Sequence, residues 1–163
     1  LIKLEKEDRL RYDIIVMVQG DEPMVHPQMI TEAIKPMIDN PDILITNLLG
    51  TIGSRDEFHD QNCIKVVCDK NDDALYFSRK PIPNNVIISE SFGKQVPIIP
   101  FRREFLLKYN SMDSTPLEIV ESIDMLRLLE NGIKVRMIPT RHSTFAVDTP
   151  SDLLKVEQIM KNS

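Results

Sequence analysis

Short apolar runs and longer amphipathic stretches alternate along the chain. The runs are rich in β-branched or aromatic residues and therefore predict strands. These predicted strands cover residues 14–18, 43–49, 63–68, 74–78, 133–138 and 145–147. The first is five apolar residues in a row, so we expect a strand that is buried on both faces. Residues 95–101 are also apolar, but Pro97 and Pro100 predict an edge strand or a broken one.

Apolar residues at helical spacing fill the stretches between these strands. Five helices are predicted. The first is the tail of a helix within residues 1–12, the second begins at His26 and Pro27, and the third covers residues 102–109. The fourth begins at Pro116 and stops at Gly132, and the fifth follows Thr149. Pro36 is expected to kink or end the second of them. Residues 51–60 predict a loop, with a short helical turn within it as the alternative, and residues 80–94 predict a long loop. The Asn/Asp-rich residues 69–73 predict a hairpin turn. The alternation of strands and helices predicts one three-layer α/β domain over residues 1–163.

Composition and charge narrow the possible functions. The chain has 163 residues, of which 42% are hydrophobic, enough for one domain with a core. Its formal net charge of −5, with both signs interspersed, argues against nucleic-acid binding. No stretch reaches the ~20 apolar residues of a membrane span and no secretion signal is visible, so we expect a cytoplasmic protein. Cys63 and Cys68 fit neither a zinc site nor a disulfide framework, and reduced, buried thiols are expected.

A pair of acidic residues follows the first predicted strand. Asp21 and Glu22 stand between Gly20 and Pro23, at the C-terminal end of that strand. Ligands of open α/β sheets bind at this edge, where carboxylate oxygens are suited to hold Mg²⁺ beside substrate phosphates. The same residues are equally typical of an ordinary turn, since Asp and Gly favour turns for local reasons. The pattern by itself leaves both interpretations open.

Five short motifs occur in order along the chain. They are Val-Gln-Gly-Asp-Glu-Pro at residues 18–23, Asn-Cys-Ile-Lys-Val-Val-Cys-Asp at 62–69, Ala-Leu-Tyr-Phe-Ser-Arg-Lys-Pro-Ile-Pro at 74–83, Pro-Leu-Glu at 116–118 and Val-Asp-Thr-Pro at 147–150. In content and order they resemble the 3-deoxy-manno-octulosonate (KDO) cytidylyltransferase family. The resemblance implies a three-layer nucleotidyltransferase fold with a mixed sheet of the glycosyltransferase-A-like type. It also implies an enzyme that transfers CMP from CTP to the anomeric hydroxyl of an acidic sugar and releases pyrophosphate.

The resemblance assigns catalytic roles to three residues. By the resemblance, Asp21 and Asp148 would be the ligands of Mg²⁺. Each closes a predicted strand at a turn, so the two carboxylates can meet at one sheet edge. Taken alone, Asp148 is also typical of a residue that caps a helix. Arg79 would contact a carboxylate or a phosphate, with a surface ion pair as the alternative. CTP and a sugar acid are thus the expected substrates, Mg²⁺ the expected cofactor, and a homodimer the expected assembly.

Four further residues are expected to bind substrate. By resemblance, Gln19 faces it beside the metal, and Glu118 faces the sugar or a dimer partner, unless Glu118 only favours its helix dipole. Gln95 and Met125 stand where the family has a histidine and a glutamine that contact the sugar, and Ile99 replaces a tyrosine of that pocket. Each lost polar contact is worth about 1 kcal/mol or more in a buried site. These departures predict a sugar other than KDO, or a chain that no longer turns over.

One part of the family pattern has no counterpart in this chain. The resembled family begins with a strand and an Arg- and Lys-bearing loop that binds the nucleoside triphosphate. Since nothing here matches that loop, we expect an N-terminally incomplete fold that corresponds to the C-terminal two-thirds of such an enzyme. The alternative hypothesis is a catalytically inactive, cytidylyltransferase-like domain that binds or regulates.

Overall fold

Helices and strands alternate in the computed structural model, which describes residues 1–84, 92–142, 144–147 and 149–161. The helices are α1 (Ile2–Asp8), α2 (Pro27–Asp39), α3 (Arg55–His59), α4 (Arg103–Asn110), α5 (Pro116–Glu121), α6 (Met125–Glu130) and α7 (Pro150–Lys161). The strands are β1 (Ile14–Val18), β2 (Thr46–Gly50), β3 (Lys65–Cys68), β4 (Ala74–Ser78), β5 (Phe92–Val96), β6 (Ile98–Arg102) and β7 (Arg136–Pro139). The predicted loop over residues 80–94 therefore ends inside β5, and its residues 85–91 lie outside the described part of the chain.

The strands form a mixed sheet with an attached ribbon. Five strands lie in the order β4-β3-β5-β2-β7, in which β2 and β7 are parallel and the other neighbours antiparallel. Strands β1 and β6 pair antiparallel as a separate ribbon. Pro97 separates β5 from β6, and a bridge between Ile45 and Phe101 keeps β6 beside the main sheet. The broken strand predicted from the prolines is confirmed, because proline cannot donate to a ladder.

Helices cover both faces of this sheet. On one face, Met29 and Ala33 of α2 pack in a buried cluster with Leu48, Val96 and Ile98. On the other face, the larger core joins side chains of α4 and α6 to those of β3, β4 and β7; they include Phe105, Leu126, Leu128, Val66, Phe77 and Met137. The predicted three-layer α/β architecture is thus confirmed. In the described ranges, no helix has the length and apolar character needed to cross a membrane.

The residues 69–73 turn as predicted. Asp69 N–H donates to Asp73 O at 2.9 Å, and Asp69 Oδ1 accepts the N–H groups of Asn71 at 2.7 Å and Asp73 at 3.0 Å. A short polar side chain can close a turn on its own backbone in this way. The turn joins β3 to β4 as a hairpin.

The structure corrects several predictions of secondary structure. The first strand is only half-buried and Val18 is 41% exposed, because β1 pairs with one strand, β6, within the described residues. Helix α2 does not end at Pro36 but continues three residues, to Asp39, since a proline in the last turn removes a single hydrogen bond. The kink expected at Pro36 as the alternative stays a prediction. Residues 145–147 form no strand, and the N–H of Val147 donates to a loop instead.

The helix predicted from Pro116 to Gly132 is also wrong, because it is two helices. Helix α5 ends at Ser122, whose φ of 56° is left-handed, and α6 begins at Met125. Neither Gly nor Pro marks this break in the sequence. The carbonyl groups that the break frees are bound by an arginine from β4, described below.

Candidate active site

The turn after β1, residues 19–23, carries the first predicted site residues and is hereafter the acidic turn. Glu22 N–H donates to Gln19 O at 3.4 Å, which closes the turn, and the Glu22 side chain is buried. Among the described residues, buried Asp21 Oδ1 has no hydrogen-bond partner. A buried carboxylate oxygen without a donor carries an uncompensated cost of desolvation. This oxygen is therefore a place where a cation or a donor of a ligand would bind favourably.

A second segment, residues 144–147, lies against the acidic turn. Val147 N–H donates to Asp21 O at 2.9 Å. The next residue in sequence, Asp148, lies outside the described residues, so its role as a metal ligand stays a prediction. Helix α7 then begins with a reciprocal cap, in which Thr149 Oγ1 accepts the Asp152 N–H at 3.3 Å and Asp152 Oδ2 accepts the Thr149 N–H at 2.9 Å.

A cleft of about 1110 Å³ opens beside these two segments. It is bounded by the acidic turn, α3, the loop before β3, the ends of β4 and β5, residues 140–142 and 144–146, and the start of α7. A volume of this size suits a ligand of nucleotide or nucleotide-sugar size. Of the predicted site residues, four line the cleft: Gln19, Asp21, Arg79 and Gln95.

Backbone bonds hold the two glutamines at the wall of the cleft. Gln19 N–H donates to Pro97 O at 3.4 Å, which ties the acidic turn to the β5–β6 junction. Gln95 N–H donates to Ile64 O at 2.8 Å, and its Nε2 donates to Asn47 Oδ1 at 2.7 Å. The broken strand thus brings Gln95 and the acidic turn to the same cavity, although they are far apart in sequence.

Arg79 follows β4 and binds backbone oxygens. Its Nε, Nη1 and Nη2 donate to Glu121 O at 2.7 Å, Gln61 O at 3.0 Å and Ser122 O at 3.1 Å. Its own N–H donates to Glu121 Oε2 at 3.0 Å. The guanidinium therefore satisfies the carbonyls at the α5–α6 break. Beyond these contacts with described residues, one hydrogen on each Nη remains for a ligand.

Lys65 supports the same wall from inside. Its side chain is completely buried, and Nζ donates to the carbonyl oxygens of Asp60 at 2.6 Å, Cys63 at 2.5 Å and Arg79 at 2.7 Å. Three acceptors match the three donors of an ammonium group. Burial lowers the pKa of Lys65. This lysine therefore holds the loop before β3 against the backbone of Arg79.

Glu118 does not line the cleft. Its Oε2 accepts Arg127 Nε at 2.8 Å and its Oε1 accepts Arg127 Nη2, while Thr115 N–H donates to Oε2 at 3.1 Å. Arg127 also lies over the Tyr109 ring, 4.9 Å from its centroid. The hydrogen bonds from Arg127 lower the pKa of Glu118. The carboxylate thus caps α5 and ties it to α6, and its predicted contact with the sugar or a dimer partner stays a prediction.

Met125 is likewise absent from the cleft. Its side chain is completely buried in the larger core, as is that of Ile99. An apolar side chain at the start of α6 gains more from this core than from a polar cavity. The structure therefore places in the core two of the three residues by which the sequence departs from the family pattern, and only Gln95 faces the cleft.

Several cleft residues were not predicted from the sequence. Lys94 Nζ donates to Glu57 Oε1 at 2.5 Å and lies 5.8 Å from the centroid of the Phe145 ring. Lys155 of α7 lies over the same ring at 4.4 Å. Both lysines line the cleft; Lys94 is paired with Glu57 there, and Lys155 adds a positive charge from α7. The only signal for Lys94 was its place beside Gln95, and Lys155 had none because it lies within an ordinary amphipathic helix.

The histidines, which share no metal-ligand spacing in the sequence, include one that lines the cleft. His142 stacks on His26, with ring centroids 4.8 Å apart and an angle of 9° between the planes. Its Nε2 lies 3.6 Å from Glu32 Oε1, and Thr140 Oγ1 donates to Glu32 Oε2 at 2.8 Å. These contacts hold the loop after β7 against α2.

The prediction of buried thiols is confirmed for Cys68 and wrong for Cys63, which is half-buried. Cys63 and Cys68 are free thiols, with Cys68 buried and Cys63 half-buried at the cleft. Burial raises the pKa of Cys63 to about 11 and that of Cys68 to about 12. Both are therefore protonated at neutral pH and poor nucleophiles.

The acidic turn offers only part of a metal site. Within the described residues, no group of three or more His, Cys, Asp or Glu side chains is arranged to hold a metal ion. The oxygen donors of Asp21 are of the kind that Mg²⁺ prefers, and Mg²⁺ usually takes one or two protein carboxylates and shares the rest of its shell with water and phosphate. The residues present thus fit Mg²⁺ as a partner of a bound nucleotide.

Comparison with known proteins gives a consistent picture. The cytidylyltransferase family model matches residues 3–136. A 3-deoxy-manno-octulosonate cytidylyltransferase of Geobacter metallireducens is 44% identical, over 91% of this chain and 63% of the relative. The same-named protein of Geobacter sulfurreducens is 41% identical, over 96% of this chain and 68% of the relative. The chain thus spans about two thirds of the length of these curated relatives.

Solved structures agree with the sequence relatives. A CMP:2-keto-3-deoxy-manno-octonic acid synthetase complexed with CTP superposes with a TM-score of 0.83 at 34% identity, over 98% of this chain and 66% of that one. A putative glucose-1-phosphate thymidylyltransferase from Bacillus anthracis gives a TM-score of 0.56 at 14% identity, over 99% of this chain and 60% of that one. The second similarity shows the fold alone. The mixed-sheet nucleotidyltransferase fold expected from the motifs is confirmed.

Proposed function

The chain belongs to the cytidylyltransferase family, and from this we propose that it transfers CMP from CTP to the anomeric hydroxyl of an acidic sugar. In this reaction the hydroxyl oxygen forms a bond to the α-phosphorus of CTP. The bond from that phosphorus to the bridging oxygen breaks, and pyrophosphate leaves. The observation that carries the proposal is the buried Oδ1 of Asp21, which has no hydrogen-bond partner in the described part of the chain and lies at a cleft lined by Arg79, Lys94 and Lys155.

Asp21 and Asp148 are proposed to hold Mg²⁺. When bound, the ion would neutralise the charge of the phosphates and orient them for in-line attack. The bond from Val147 N–H to Asp21 O brings the chain to the acidic turn one residue before Asp148. Because Thr149 caps α7, the start of that helix is already satisfied, which supports a role for Asp148 other than capping.

The other cleft residues bind and orient the substrates. Arg79, fixed by three carbonyl groups, keeps two hydrogens in a rigid fork that suits a phosphate or a carboxylate. Lys94 and Lys155 favour the negative charge of a sugar acid. Gln19 and Gln95 supply uncharged contacts at the opposite wall. The sequence predicts a sugar other than KDO from three departures, but two of these, Ile99 and Met125, lie in the core and only Gln95 lines the cleft. The sugar is therefore proposed to be KDO or a related acid, as the names of the relatives suggest.

The proposal includes a cytoplasmic location, where CTP is made, and a homodimer. The exposed apolar residues Ile119 and Val120 of α5 support the dimer, since such residues favour association. Light scattering at increasing protein concentration would report the mass. Glu118 lies on the same helix and is proposed to order this surface through its pair with Arg127.

A titration calorimeter gives the first test. CTP with Mg²⁺ is titrated into the chain and into Asp21→Asn, and pyrophosphate release is then followed with KDO present. Saturable, Mg²⁺-dependent binding is expected for the chain, with at least about tenfold weaker binding for the variant, since a charge-assisted contact is worth about 1.5–3 kcal/mol. Asp42→Asn, in an exposed turn, is the matched control.

Each outcome has a clear meaning. Equal binding by the chain and Asp21→Asn would refute the role of the acidic turn. Binding without pyrophosphate release for any sugar acid would favour the alternative of a binding or regulatory domain. Release that depends on Asp21 and on the sugar would support the transferase.

A further inference from the structure

A buried amide controls the wall of the cleft at Gln95. Asn47, in β2, is completely buried. Its Nδ2 donates to Leu48 O at 3.0 Å and to Val96 O at 2.7 Å. Both hydrogens of Nδ2 are therefore used, and turning the amide over would set Oδ1 against two carbonyl oxygens. The orientation of Asn47 is fixed, and its Oδ1 can only accept.

This fixed acceptor determines which end of Gln95 faces it. Gln95 Nε2 donates to Asn47 Oδ1 at 2.7 Å. Since Asn47 has no hydrogen left to give, Gln95 cannot present Oε1 to it without placing two acceptors in contact. Gln95 Oε1 is thus turned away from Asn47. Gln95 lines the cleft, and no donor to its Oε1 is found among the residues that the structure describes.

We propose that Asn47 is a positioning residue that makes Gln95 Oε1 a specificity-determining acceptor for a hydrogen-bond donor of the sugar, a hydroxyl or an ammonium group. The inference rests on the proposed function and adds the class of group that the wall selects. Gln95 also keeps one hydrogen on Nε2 that could be donated to a ligand, but many side chains supply such a donor. The contact with Asn47 adds an acceptor, Oε1, whose orientation is fixed. A sugar group that only accepts, such as an ether oxygen, would leave Oε1 without a partner.

Sugar analogues test this selection on the full chain. The substrates are KDO and analogues in which one hydroxyl at a time is replaced by hydrogen, by methoxy or by an amine. At one position, we expect the hydrogen and methoxy analogues to lower kcat/KM about tenfold, the value of one hydrogen bond, and the amine to retain it. In Gln95→Met this discrimination is expected to disappear.

The variant Asn47→Ala separates positioning from stability. The freed amide of Gln95 can then present Nε2 to the sugar. The ratio of kcat/KM for the methoxy analogue to kcat/KM for KDO should therefore rise by several fold. The matched control is Thr46→Val, which removes a buried hydrogen bond to Ala33 O on the opposite face of β2. It should lower stability but leave the ratio of the analogues unchanged. Equal ratios in Asn47→Ala, Thr46→Val and the unmodified chain would overturn the proposal.

A spectroscopic readout is independent of turnover. The side-chain amide protons of Gln95, assigned by their absence in Gln95→Glu, should include one that exchanges slowly in the unmodified chain and rapidly in Asn47→Ala. Equal exchange in the two proteins would overturn the fixed orientation. If no sugar is turned over, the proposed function and the selection of a sugar group fail together, while slow exchange would still support the positioning of Gln95 by Asn47.

Discussion

The bond between Glu118 and Arg127 gives a sharp test of how α5 and α6 are held together. Replacing Glu118 with Gln keeps the shape and one acceptor but removes the charge. The side chains of Glu118 and Arg127 are only 12% and 16% exposed, so water screens their attraction weakly. In Glu118→Gln, one of the two hydrogen bonds from the Arg127 guanidinium is kept in weaker form, with the amide oxygen as acceptor. The other is lost, because the amide nitrogen and the guanidinium are both donors.

The magnitude follows from those contacts. A hydrogen bond to a charged group is worth about 1.5–3 kcal/mol, and a guanidinium left with poor acceptors adds part of its desolvation cost. We expect Glu118→Gln to lower the free energy of unfolding by about 2 kcal/mol, or Tm by roughly 4–8 °C for a chain of this size. Urea unfolding followed by circular dichroism measures it.

The effect of pH has a definite sign. The hydrogen bonds from Arg127 lower the pKa of Glu118 below its ordinary value of 4.5. Its contribution to stability is therefore complete above the pKa of the unfolded state and is lost as the pH falls through the lower pKa of the folded state. The difference between the unmodified chain and Glu118→Gln should accordingly shrink below about pH 4.5.

The matched control is Glu7→Gln, which makes the same change in an exposed pair with Lys3 at 3.9 Å. That change should cost less than about 0.5 kcal/mol, as exposed pairs do. In a double-mutant cycle, Glu118→Gln and Arg127→Gln together should cost less than the sum of the single changes. A loss below about 0.5 kcal/mol for Glu118→Gln, or strict additivity, would refute the assignment.

Three further changes test other parts of the wall. Arg79→Lys should lower the free energy of unfolding by about 2 kcal/mol, measured by urea unfolding, because one ammonium cannot reach all three carbonyl groups. Ser122→Gly should raise it by about 0.5 kcal/mol, since glycine adopts a φ of 56° without strain. The Cys63 thiol should react slowly with a disulfide reagent at pH 8 and faster as the pH approaches its pKa of about 11, and a rapid reaction at pH 8 would contradict this value.

The sequence predicts the fold well where an element depends on interactions between residues that are near one another in the chain. The hairpin over residues 69–73 and the break at Pro97 were predicted because turn residues and proline act through their own backbone. The break at Ser122 could not be predicted, because it depends on Arg79, which is 43 residues away and binds the freed carbonyls. Similarly, the strand predicted for residues 145–147 does not form, because the N–H of Val147 donates to Asp21 O across the fold.

The same distinction applies to the candidate site. Gln19, Asp21, Arg79 and Gln95, which the sequence comparison with the family singled out, line one cleft, and their roles there stay predictions. What fixes them lies elsewhere in the chain. Asn47, by its place in β2, sets the amide of Gln95, as the β4 hairpin and Lys65 set the backbone of Arg79.

These supporting residues have no motif because burial, not pattern, gives them their effect. Asn47 and Lys65 are both completely buried, and each has its donors matched to backbone carbonyl groups. A buried polar group tolerates few arrangements, since an unmade bond costs about 1–3 kcal/mol. The orientation of Gln95 and the placement of Arg79 are thus decided in the interior of the sheet. A change of sugar preference can therefore arise from a residue that no ligand touches.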